Sequence, residues 1–221
     1  MKKCLLIFLL LFISICNAQN ILLNKVVKTH DNKDKFFYRI TDDFSSKEYL
    51  GEIEVRGFTN KDQDVFSYIY KQAKQVGANA YSLKPIETIE GTFKNFDPNH
   101  YILNLYYVEN EQEIIDKGNI YIISAGEKSK KIDVNDKTIE MPSRSFIKVK
   151  TLLDKPNIIS TRKLFGSNIK FTMNHTDNSK YFEILPFQVK GDGALTFKSG
   201  DIIGLEESYG GFLTMIYSEI K

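Results

Sequence analysis

The segment "KQAKQVGANAY", Lys71–Tyr81, decides how the first half of the chain folds. Upstream of it, Val65, Phe66, Ile69, Tyr70, Ala73 and Val76 recur at helical spacing and define one apolar face. Asp62 is placed to accept from the first free backbone N–H groups, and Asp64 adds negative charge to the first turn. Gly77 stands where a helix ends on a residue of positive φ, a conformation that costs glycine nothing. Ala78 and Asn79 then turn the chain, and Ala80-Tyr81-Ser82-Leu83 begin a strand. A phosphate cradle needs the opposite order, with glycines after a strand and before a helix, where N–H groups are free. The small residues are therefore read as architecture.

Working outward, Phe36–Ile40 is aromatic and β-branched and predicts a strand. "YLGEIEVRGF" alternates: Ile53 and Val55 point one way, while Glu52, Glu54 and Arg56 point to a wet face. Pro85 closes the strand after the helix, and Asp97-Pro98-Asn99 marks a turn. "HYILNLYYV" is apolar on both faces and predicts a central strand. The pattern predicts a small two-layer α/β domain with one main helix over residues 19–108.

The motif Ala73, Gly77, Ala78, Asn79, Ala80 after an amphipathic helix, with the "GEIEV" strand at Gly51–Val55, resembles the small domain of the YbjQ-type metal-binding family. It is similar also to the related domain of the Rcs envelope-stress lipoprotein. The resemblance covers residues 45–108. It implies a fold, and it makes an envelope-stress or metal sensor one alternative for function.

The N-terminus is read as a secretory signal peptide over residues 1–18: Lys2 and Lys3, an apolar run from Cys4 to Cys16, and small residues before a cut that leaves Gln19 first. Ile15 before Cys16 argues against a lipid anchor at that cysteine. Both cysteines lie in this leader, so the mature chain has no disulfide, no thiolate nucleophile and no cysteine metal site. The sequence holds 30 basic and 28 acidic side chains, and two of the basic ones, Lys2 and Lys3, leave with the leader. Such a balanced chain lacks the basic footprint of a nucleic-acid binder. No later segment is apolar for long enough to span a bilayer.

Residues 109–118, "ENEQEIIDKG", read as a linker or a brief helical turn. From Asn119 to the end, short strand-like segments alternate with turn signals such as Asn135-Asp136, Gly166-Ser167-Asn168, Asp177-Asn178-Ser179 and Gly191-Asp192-Gly193. They predict an all-β sandwich over residues 119–221, and "NIYIIS…KIDVNDKTIEM" resembles the start of secreted β-sandwich domains of unknown function. The fold class expected is α+β.

Chemistry is sparse. His30, His100 and His175 show no metal-pair spacing, though Asp97 and His100 share a turn. No G-x-S-x-G elbow occurs. Asp201, Glu206 and Glu207 are the acids a glycosidase would need, but Glu206–Gly211 reads as a hairpin loop. Glu52 and Glu54 read as solvated. Tyrosines such as Tyr68, Tyr70, Tyr101, Tyr106 and Tyr107 suit a protein or glycan partner or, more simply, core packing. No catalytic, cofactor-binding or metal residue is assigned, and no cofactor is expected. The function expected is that of an exported, periplasmic or secreted, non-catalytic binding or scaffolding protein. The alternatives are a carboxylate-dependent hydrolase of an extracellular polymer and the sensor named above.

Overall fold

The computed structural model describes residues 20–40, 46–57, 59, 61–88, 90–152, 155–161, 166–185 and 201–220. The expected leader, the Gly191-Asp192-Gly193 turn and a strand expected at 194–198 lie outside them. The chain divides into two compact units, Met1–Glu109 and Asn110–Lys221. Mixed α/β structure fills it, with two helices and three sheets among the described residues.

The first unit has strands β1 (Asn20–Val26), β2 (Tyr38–Arg39), β3 (Glu48–Arg56), β4 (Ala80–Lys84) and β5 (His100–Tyr107), with helix α1 (Asp62–Gln75) between β3 and β4. They form one sheet in the order β1-β3-β5-β4-β2. β5 is central, as its two-faced apolar pattern predicts. Register aligns Ile53 with Leu103 and Leu103 with Leu83, while Tyr81 faces Leu105. One face of the sheet thus gathers Ile53, Val55, Tyr81, Leu103 and Leu105, all fully buried. Phe37 joins that face to α1: its ring lies 4.5 Å from Tyr81 and 6.2 Å from Tyr70.

Two local expectations change. The helix N-cap is Lys61, which makes no side-chain cap bond, and Asp62 is the first helical residue. The strand expected at Phe36–Ile40 shrinks to Tyr38–Arg39 because the Phe36 N–H donates to Asp34 Oδ1 (2.9 Å) instead of to a neighbouring strand.

The second unit opens with a 3-10 turn, Glu111–Glu113. Its strands are β6 (Asn119–Ser124), β7 (Lys130–Val134), β8 (Lys137–Met141), β9 (Ser145–Lys150), β10 (Asn157–Ser160), β11 (Asn168–Phe171), β12 (Lys180–Ile184), β13 (Ile202–Leu205) and β14 (Ser218–Glu219). One sheet runs β11-β10-β7-β8 and the other β13-β12-β6-β9-β14. Asn135 and Asp136, with φ of 47° and 68°, make the tight β7–β8 turn. Ile122, Ile147 and Ile184 of one sheet share a single apolar cluster with Ile132, Val134 and Ile159 of the other. Residues 116–118 are stitched into this unit: the Ser179 N–H donates to the Asp116 carbonyl, and the Gly118 N–H to that of Asp177.

The all-β expectation for this half fails at α2 (Glu207–Ile216), where a hairpin loop and a strand were expected. Glu206 caps the helix by accepting from the Tyr209 N–H at 3.1 Å. Seven consecutive residues from Gly210 to Ile216 are buried, so no polar stripe marks the helix in the sequence. Gly210 looked like a turn signal but serves close packing: a Cβ there would lie 2.3 Å from Cγ of Tyr181.

Candidate functional site

The Lys71–Tyr81 segment forms no cradle. Gly77 has φ of +78°. Its N–H donates to the Lys74 carbonyl at 3.2 Å and that of Ala78 to Ala73 at 3.0 Å, so the helix end satisfies itself. A Cβ at Gly77 would sit 1.9 Å from the His30 carbonyl oxygen, which lies directly against it. Asn79 is buried and imitates a peptide group. Its Nδ2 donates to the Val108 carbonyl and its Oδ1 accepts from the Val108 N–H, both at 2.8 Å. Lys74 Nζ reaches Asp34 Oδ1 at 2.8 Å, and Asn79 Nδ2 reaches Asp34 Oδ2 at 3.3 Å. Burial would raise the Asp34 carboxyl, but hydrogen bonds from Lys74 and Asn32 outweigh it and hold it below its ordinary value.

The face opposite α1 corrects the reading of Glu52 and Glu54 as solvated. Both are buried, at 7% and 6% exposure. Glu52 Oε1 accepts from Tyr49 Oη at 2.6 Å and from Lys84 Nζ at 2.8 Å. Burial pushes its carboxyl up, but these two donors pull it further down, to a net depression. Glu54 Oε1 lies 2.7 Å from His100 Nε2 and 2.9 Å from Arg56 Nε. His100, followed by burial in the opposite sense and by Arg56, sets its depressed carboxyl. His100 therefore meets Glu54 across the sheet, not the Asp97 side chain, whose Oδ1 accepts from Asn99. These are closed ion-pair networks in which each buried charge has its partners.

The other expected residues scatter. His30 stacks on Tyr107 with centroids 3.6 Å apart, and His175 is exposed in a turn of the second unit. Tyr68 is 61% exposed, whereas Tyr101 and Tyr106 are buried. Asp201 Oδ1 accepts from the Ser167 N–H at 2.8 Å and clasps two loops. Among the described residues, no three His, Cys, Asp or Glu side chains gather as a metal site. No helix among them is long and apolar enough to cross a membrane.

Among the described residues, a concavity of ligand size lies in the second unit, a cleft of about 510 Å³. Ile169 and Phe171 of β11, Phe182 of β12 and Leu205 of β13 give it apolar walls. The Phe171 and Phe182 rings stand 5.2 Å apart. Register pairs Phe182 with Gly204, and a Cβ at Gly204 would meet nothing within 4 Å. The missing side chain leaves that side open. Asn178, Lys180 and Glu207 supply the polar rim. α2 begins at the cleft, so its first residue, Glu207, lines it beside Asn178. Burial pushes the Glu207 carboxyl up to about 7; the Asn178 amide, 3.4 Å away, lowers it, and the charges of Glu206 and Asp116 raise it. Of the three acids singled out in the sequence, only Glu207 lines the cleft; Glu206 caps the helix and Asp201 is held by Ser167. The apolar walls were legible only as strands, because nothing local says that β11 and β13 leave a gap between them.

A scan against protein-family models gives no match to this chain, and searches of curated proteins and of solved structures likewise return no similar protein.

Proposed function

We propose that this is an exported binding protein of the cell envelope or extracellular space, and that the cleft bounded by β11, β12, β13 and α2 is its ligand site. Export rests on the leader-like residues 1–18. The binding reading rests on one observation: a cleft of about 510 Å³ with apolar walls and a single carboxylate among its lining residues, the usual composition of a small-molecule site. The two sheets of the second unit, joined by a common core, are read in this proposal as a sandwich whose edge opens into the cleft. The likeness of residues 45–108 to the YbjQ-type small domain enters it as a likeness of fold alone.

The test is calorimetric titration of the leaderless chain with a panel of small amphipathic compounds, repeated on Gly204→Val. Valine is at home in a strand and fills the open side without straining the backbone. Binding by the parent chain that the variant loses supports the reading. Equal binding by both removes the cleft from it.

A second reading, a carboxylate-dependent hydrolase of an extracellular polymer, draws on the same Glu207 carboxyl, because a group titrating near neutrality suits proton transfer. Polymer cleavage that disappears in Glu207→Gln would select this reading over simple binding.

A further inference from the structure

We propose that the cleft takes a small ligand carrying a protonated amine on an apolar, ring-sized body. The inference rests on the cleft reading above and adds the ligand's chemical class.

Glu207 is a half-buried carboxylate in an apolar surround, and a buried charge demands a counter-charge or protonates. Among the described residues no salt bridge supplies one: Lys180 lines the same cleft without pairing to Glu207. The one side-chain hydrogen bond to its carboxylate is the long one from Asn178. The neighbouring charges that act on Glu207 are those of Glu206 and Asp116, both negative. An anionic ligand would thus approach three carboxylates against the single ammonium of Lys180 on the rim. At the start of α2 the Glu206 carboxylate takes the Tyr209 N–H and the Gly210 N–H bonds the Glu206 carbonyl, so neither is free for an anion. An ammonium meets the reverse conditions. It supplies the counter-charge that Glu207 lacks, and the rings of Phe171 and Phe182, 5.2 Å apart in the cleft wall, attract a cation at their faces. Those rings, with Ile169 and the open side at Gly204, would take an apolar body.

Three probes share such a body and differ in the head group: 2-phenylethylamine, 2-phenylethanol and 3-phenylpropionate. Each is titrated at pH 8 into the leaderless full chain, into Glu207→Gln and into Gly204→Val. The expected result is amine binding about tenfold tighter than alcohol binding, the scale of one desolvated charge pair. That advantage of amine over alcohol should vanish in Glu207→Gln. Gly204→Val should exclude every probe. If alcohol or carboxylate binds the parent chain as well as the amine does, the amine assignment is wrong while the cleft reading stands. If no probe binds the parent chain, or all bind Gly204→Val equally, the assignment falls together with the cleft.

Discussion

Gly77 and Asn79 show how much a single position can carry. Gly77 combines a left-handed φ of +78° with a carbonyl oxygen 1.9 Å from where a Cβ would stand. Gly77→Ala should therefore cost at least about 1–3 kcal/mol for the backbone strain alone, and more once the His30 segment must retreat. Asn79→Ala should cost a similar amount for a different reason. It strands the N–H and C=O of Val108, and each buried group left without a partner costs roughly 1–3 kcal/mol. Urea unfolding of the two variants checks both; a loss under half a kilocalorie for Gly77→Ala would mean that the helix end is not held as described. The glycine was legible because its signal is local: an apolar period that stops. The role of Asn79 was not, since its partner lies 29 residues on. The same holds for Glu54, whose partner His100 is 46 residues away. Alternation along one strand cannot tell a solvated carboxylate from one buried under a distant imidazole.

At the scale of elements, α1 and α2 stand at opposite ends of legibility. α1 rests on one face, so its period of apolar residues survives in the sequence. α2 is buried along most of its length and contains two adjacent glycines, and both features erase the helical signature. Its first residue also makes stability depend on pH. The Glu207 carboxyl titrates near 7 in the folded chain against 4.5 when unperturbed. Between those values the unfolded chain has released the proton and the folded chain still holds it. Folded stability therefore falls as pH rises through this window. Asn178, Lys180, Glu206 and Asp116 surround the group, and none of them changes when Glu207 becomes Gln. Thermal melts from pH 4.5 to 8 should show the parent chain losing ground to Glu207→Gln as pH rises; parallel curves would refute the burial of that carboxyl. Glu52 and Glu54 act in the opposite sense, because their depressed carboxyls contribute stability above the ordinary carboxylate range that is lost as pH falls.

For the molecule as a whole, the division at Glu109 and Asn110 has a testable consequence. The Asn79–Val108 clamp closes within the first unit, and the Asp116–Ser179 and Gly118–Asp177 bonds close within the second. Residues 19–109 and 110–221, expressed separately, should each give a cooperative melt followed by circular dichroism. A fragment that stays unfolded would show that its core needs the other. The sequence by itself determined what short-range chemistry can specify. It marked the helix that stops at Gly77, the alternating β3 and the central β5, and it put both cysteines within the first 16 residues. Tertiary structure decided what depends on residues far apart in the chain: that Glu52 and Glu54 are buried among cations, that a glycine-rich stretch coils into α2 against Tyr181, and that two strands leave a cleft beside Glu207. The physical reason is that backbone periodicity and turn preference act over a few residues, whereas burial, counter-charge and empty space exist only once separate segments have packed.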